Sequence, residues 1–165
     1  MKPYDVNTIA DYIIQRLNAD EDMNLINLKL QKLIYYLQAW SFGIKGERFV
    51  NSSFEAWVHG PVCRELYDRF KNSKTLYSFI SIEDVQNIDS ASCIETQDRD
   101  FIHFILDNYA GFSGVELETM THREKPWIEA RGGIAPMLGC SNVISEDTMK
   151  EYYGERWKRI KGENN

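Results

Sequence analysis

The sequence has little of what marks a secreted, membrane-bound or nucleotide-using protein. Its three cysteines, Cys63, Cys93 and Cys140, are widely separated and show no C-x-x-C spacing, which supports neither a disulfide framework nor a zinc knuckle. Reduced thiols in a cytoplasm fit that usage. No window approaches the roughly eighteen apolar residues a membrane span requires, and Met1 to Asn7 lack the apolar core of a secretory signal. The glycines at 43, 46, 60, 111, 114, 132, 133 and 139 match neither the P-loop nor the dinucleotide fingerprint. Basic residues are outnumbered, 19 against 25 acidic, and the net charge of −6 works against non-specific attraction to a phosphate backbone. No internal repeat, low-complexity tract or linker divides the chain. The expectation is one domain over residues 1–165, kept in the cytoplasm, with no cofactor, no metal and no membrane, and with nucleic acid an unfavoured partner.

What is present is enough for a packed core: 43% hydrophobic and 13% aromatic residues in a chain of single-domain length. Asp5 is placed to cap a helix to about Asn18, with Val6, Ile9, Ile13 and Leu17 on one face and Ala19-Asp20-Glu21-Asp22 breaking it. A second helix is expected from about Asn27, which supplies a capping side chain, with Leu30, Leu33, Ile34, Leu37 and Trp40 as its apolar stripe and Gly43 as its C-terminal cap. Lys29, Gln31, Lys32 and Gln38 form its polar side, with Tyr35 and Tyr36 at the edges. Residues 48–58 suggest a small β-hairpin. His59-Gly60-Pro61 then reads as a turn, with Pro61 opening a helix that carries Val62, Leu66, Tyr67 and Phe70. Residues 83–98, acidic and without a basic residue among the charges from Glu83 to Asp98, read as a mostly exposed connection. Gln97 or Asp98 precedes a helix closed near Gly111. Ser113 and Glu116 have the form of a capping box, and Ser145 caps a last helix that frays after Arg156. The class is mainly α with a small hairpin.

The chemically densest stretch is Thr121 to Arg131, where His122, Arg123, Glu124 and Glu129 offer a base, a cation and carboxylates. The plainer reading is a turn built on Pro126, with Trp127 anchored in the core and Arg131 in a charge-assisted hydrogen bond. His59 and Cys63 are four apart, and with His122 they define a possible zinc site or a cysteine and histidine hydrolase. One such pair is weak support, because a histidine before Gly-Pro more often completes a turn and a buried cysteine more often packs as a small hydrophobe. Lys29, Gln31 and Lys32 beside Tyr35 and Tyr36 have the composition of a protein contact more than of a catalytic cleft. The run Arg156 to Lys161 interleaves cations with Trp157 and Ile160, as a nucleic-acid or acidic-partner contact does, and as a solvated helix end does.

Three segments together form a more specific pattern. Leu28 to Trp40 (LKLQKLIYYLQAW), Phe54 to Val62 (FEAWVHGPV), and Thr121-His122 followed by Pro126-Trp127 and Ala130-Arg131 resemble the three signature blocks of the Panacea domain, in that order. This is the SocA-type antitoxin family, also described as a phage-associated protein family, and the resemblance runs from about residue 7 to about residue 153. It implies a mainly helical, non-enzymatic antitoxin that neutralises a cognate protein toxin encoded nearby, in the SocA branch as a proteolytic adaptor to the ClpXP protease. It leaves a phage-encoded adaptor or anti-defence protein acting on a host factor as an alternative, and a homo-oligomer as a further possibility. No helix-turn-helix segment is expected outside the domain, unlike in members that carry a DNA-binding module. The residues carried over as partner-binding, or as support for such a surface, are Gln31, Lys32, Tyr35, Trp57, His59, Gly60, Pro61, His122, Pro126, Trp127 and Arg131.

Overall fold

The computed structural model describes residues 3–20 and 24–162. Among them are seven α-helices and one two-stranded antiparallel sheet, the mainly α architecture expected. No helix among the described residues is long and apolar enough to cross a membrane. Helix α1 (Val6–Asn18) begins as its sequence predicts, with Asp5 accepting from the Asn7 amide at 2.7 Å. Glu21 and Asp22, expected to help break it, lie outside the described residues.

Helix α2 (Asn27–Lys45) is the axis of the fold. Every residue from Asn27 to Phe42 is buried, because α1, the hairpin and four later helices all pack around it. The expectation of an exposed polar side is therefore wrong: its lysines, glutamines and tyrosines are interior groups. Asn27 does not cap the helix either. Ile26 occupies that position in extended conformation, and Asn27 Nδ2 donates to the Thr75 carbonyl at 3.3 Å. The C-terminal cap is Gly46, at φ 73°, rather than Gly43. Gly43 sits inside the helix where a Cβ would lie 2.6 Å from the backbone carbon of Tyr153, so its missing side chain sets how closely the last helix approaches.

The hairpin lies later than expected, with β1 at Glu55–Trp57 and β2 at Gly60–Val62. Trp57 pairs with Gly60, which leaves Val58 and His59 as a two-residue turn. Pro61 belongs to β2 and does not open a helix. It faces Ala56, next to the closing pair; in such a ladder the bonded and unbonded pairs alternate, so an unbonded position needs no N–H. Helix α3 (Arg64–Phe70) starts three residues later, with Cys63 before its first turn.

The segment between α3 and the next helix is tied down more firmly than its acidity suggests. It makes two 3-10 turns, Ile82–Asp84 and Ser90–Cys93, and Ser90, Ile94 and Asp98 are buried. Buried Asp11 of α1 accepts from Arg69 at 2.5 Å and from the amides of Gln86 and Asn87 at 3.1 and 3.0 Å. A carboxylate with that many donors satisfies the loop backbone as a strand partner would.

Helix α4 (Thr96–Tyr109) follows Glu95, not Gln97 or Asp98; Asp98 instead accepts from Tyr4 at 2.6 Å and Lys45 at 3.4 Å. The capping box forms as predicted at α5 (Gly114–His122), with Ser113 and Glu116 exchanging two 3.1 Å bonds. Helix α6 (Lys125–Arg131) carries Pro126 in its first turn and ends at Gly132. Ser145 caps α7 (Glu146–Ile160), accepting from the Thr148 amide at 3.1 Å. That helix does not fray at Arg156. Arg156 reaches Glu124 at 2.6 Å and the Trp157 ring packs 6.3 Å from that of Phe104, contacts that hold its last turn.

Candidate functional site

The polar side chains of α2 end on main-chain groups of the hairpin and neighbouring loops. Gln31 acts as a surrogate backbone unit, accepting from the Cys63 amide at 2.9 Å and donating to the Cys63 carbonyl at 3.1 Å. Two turns on, Gln38 Oε1 accepts from the amides of Phe49 and Val50 at 2.8 and 2.9 Å. Lys29 donates to the Ala110 carbonyl at the end of α4, at 2.6 Å, where a cation also meets the negative end of the helix dipole. Lys32 is 0% exposed and donates to the Pro61 carbonyl at 2.9 Å. Burial pushes its ammonium down to about 7, with Glu118 pulling the other way.

From the opposite side α6 holds the first hairpin strand. Arg131, 2% exposed, donates to the Ala56 carbonyl at 3.0 Å, and Trp127 Nε1 donates to the Trp57 carbonyl at 2.9 Å. The guanidinium lies 4.9 Å from the Trp127 ring centre, and the His122 ring lies 4.2 Å from it on tilted planes. His122 Nε2 is buried without a hydrogen-bond partner, and burial lowers the basicity of its ring. Gly60 is the meeting point: at φ 96°, a Cβ there would lie 2.6 Å from Lys32 Cε and 2.8 Å from Thr121 Oγ1. Residues far apart in the chain thus converge on the backbone of one eight-residue hairpin. Lys32 and Gln31 secure β2 and the residue after it, and Arg131 and Trp127 secure β1.

What this arrangement leaves outside lies on two flanks of the hairpin. Trp57 is half-buried, with Tyr67 at 4.8 Å between ring centres and Arg64 5.1 Å from its ring centre. His59 at the turn is exposed, its Nδ1 2.6 Å from Glu118 Oε1. On the other flank runs residues 132–143, a stretch without one charged side chain, in which Met137 is 83%, Leu138 60% and Val143 60% exposed. Arg131 also pins this loop, donating to the carbonyls of Ala135 and Leu138 at 2.7 and 2.5 Å. Asn142 joins it to the hairpin through the Ala56 amide at 2.9 Å.

A second interior cluster joins Tyr35 to residues that were not carried over as partner-binding or supporting. Glu124, 6% exposed, accepts from Tyr36 at 2.6 Å, Tyr153 at 3.1 Å and Arg156 at 2.6 Å. Tyr35 meets Tyr153 at 3.4 Å between hydroxyls, and Tyr36 stacks on Tyr109 with ring centres 4.1 Å apart. Desolvation raises the Glu124 carboxyl above its ordinary range, and its three donors pull back. The tyrosines of the first block and the acid of the third are thus one network. The signal was the spacing of Tyr35, Tyr36 and Glu124 inside two blocks, but nothing in the sequence said that the three side chains point inward together.

The chemistry weighed for His59, Cys63 and His122 finds no reactive arrangement. Cys63 is fully buried before α3, and burial raises its thiol pKa, which disfavours the thiolate a nucleophile needs. His59 Nδ1 meets Glu118, and His122 packs on Trp127. Among the described residues no group of three or more His, Cys, Asp or Glu side chains is placed to hold a metal ion.

Residues 30–128 match the family model described as Antitoxin SocA-like, Panacea domain. The chain belongs to this family. It is 26% identical over 155 residues to Antitoxin SocA from Caulobacter vibrioides (strain NA1000 / CB15N), an overlap that spans 90% of this chain and 82% of that relative. No solved structure matches. The matched span contains most of α2, the whole hairpin, α5 and the first turn of α6, the parts that build the junction around Gly60.

Proposed function

We propose that this chain is the antitoxin of a toxin–antitoxin pair and neutralises its cognate protein toxin by direct, non-enzymatic binding. One observation carries the reading: the buried polar groups of the three blocks are spent on main-chain groups and on one another, with Lys32, Trp127 and Arg131 holding the hairpin. In this reading Trp57 and His59 contact the toxin together with Met137 and Leu138. Gln31, Lys32, Tyr35, Gly60, Pro61, His122, Pro126, Trp127 and Arg131 support that surface from within. The protein works in the cytoplasm as one domain over residues 1–165, with its core between about 7 and 153. Neutralisation is by stoichiometric sequestration, and delivery of the toxin to ClpXP is the competing mode.

The test is rescue of growth from the co-expressed toxin. Trp57→Ala, His59→Ala, Met137→Glu and Leu138→Glu variants should lose rescue while their melting temperatures stay close to that of the unchanged protein. Full rescue by all four would place the toxin contact elsewhere. Rescue that persists in cells lacking ClpP supports sequestration, and rescue that vanishes there supports delivery.

A further inference from the structure

Helices α4 and α7 leave an open groove of about 490 Å³ between them. It shares no lining residue with the hairpin surface. Its walls are Phe104, Phe112, Met120, Trp157 and Ile160, and of these Phe104 is 43%, Phe112 38% and Ile160 65% exposed. The floor is built and does not depend on an occupant. Trp40 Nε1 donates to the Tyr109 hydroxyl at 2.6 Å, Tyr109 stacks on Tyr36, and Arg156 is fixed by Glu124 at 2.6 Å while lying 5.4 Å from the Trp40 ring centre. An apolar cleft of this size over a rigid floor accepts one or two large side chains with little reorganisation.

The charge beside this groove selects the occupant. In a chain of net charge −6, the segment Arg156 to Lys161 holds four cations and no acid, and it forms the end of α7 that carries Trp157 and Ile160. Lys158, Arg159 and Lys161 are exposed. A second copy packed about a two-fold axis on this groove brings the same basic helix end to it and is repelled. The acidic stretch of the chain itself, Glu83 to Asp98, is folded into 3-10 turns and pinned by Asp11 and Arg69, so it does not offer a free helix. Nucleic acid also finds cations here and the aromatic rings of Phe104, Phe112 and Trp157, but its dense negative charge meets a chain of net charge −6. We infer that the α4/α7 groove binds an acidic amphipathic helical segment of a partner protein, with apolar anchors in the cleft and carboxylates against the end of α7.

The probe is a labelled peptide of about fifteen residues, with leucines at helical spacing and glutamates elsewhere, titrated with the full chain by fluorescence anisotropy. A second peptide with lysine for every glutamate and a single-stranded oligodeoxynucleotide serve as controls. Expected are binding of the acidic peptide alone, weakened about tenfold or more by Phe104→Asp, Ile160→Asp or the pair Lys158→Glu and Arg159→Glu, and weakened by salt. Melting temperatures should hold for Ile160→Asp and for the Lys158→Glu and Arg159→Glu pair, whose side chains are exposed, and Trp57→Ala should leave peptide binding unchanged. Equal binding of both peptides, binding of the oligonucleotide alone, or indifference to the groove variants overturns the inference. Concentration-dependent self-association that Ile160→Asp abolishes would also overturn it and assign the groove to a second copy.

Discussion

Lys32 is fully buried and bonded to a carbonyl, with burial bringing its pKa from 10.5 down to about 7. The unfolded chain therefore binds a proton that the folded chain gives up across this interval. The lowered value makes stability smallest below about pH 7 and lets it rise as the pH climbs towards 10.5. At about 1.4 kcal/mol per pH unit the whole window is worth about 5 kcal/mol, and about 2 kcal/mol of it falls between pH 7 and pH 9. Lys32→Met keeps the volume, removes the titration and leaves the Pro61 carbonyl without its donor, at a cost of about 1–2 kcal/mol. The variant should exceed the unchanged protein by about 2 kcal/mol at pH 7 and match it near pH 9. Urea unfolding of both proteins at several pH values measures the difference and cancels groups that titrate alike in the two. Parallel pH profiles would refute the reasoning, since Lys32 would then fold as an ordinary ammonium with a partner or with water.

Three further predictions follow from the same interior. Glu124→Gln keeps the shape of the acid but leaves Arg156 without its carboxylate; because Arg156 is a third exposed, the loss should be about 1–3 kcal/mol by denaturant unfolding. Gly43→Ala places a methyl group 2.6 Å from the Tyr153 backbone, and should lower stability by about 2 kcal/mol or more by separating α2 from α7, whereas Gly133→Ala meets no atom nearby and strains only its own backbone. Arg131→Met releases the carbonyls of Ala56, Ala135 and Leu138, so limited proteolysis should cut within residues 132–143 well before the protein unfolds globally.

Local signals in the sequence proved reliable where one residue makes its own structure. Asp5, Ser113 and Ser145 cap helices because their oxygens reach amides two or three positions on, and that reach depends on no other part of the chain. Gly46 against Gly43 could not be decided that way. Either glycine can end a helix, and the choice was made by Tyr153, over a hundred residues later, which needs the space at Gly43. The face of Lys29, Gln31, Lys32 and Gln38 was misread for a related reason. Polar composition signals exposure only if no carbonyls are waiting inside, and here loops and helix ends supply them. The ordering of three blocks was legible as a family pattern, yet its geometric meaning, a hairpin gripped from two sides, depends on contacts from α2 and α6 that no single segment contains.

Direct binding and silencing of one toxin is the activity proposed for this chain. The most direct measurement is to express the gene adjacent to its own, alone and together with this chain, and to purify the pair through a tag on one member. Expected are arrest of growth by the neighbour alone, relief by co-expression, and elution of both proteins as one complex of fixed ratio. A harmless neighbour with no complex, or relief of toxicity without any complex, would contradict the proposed activity.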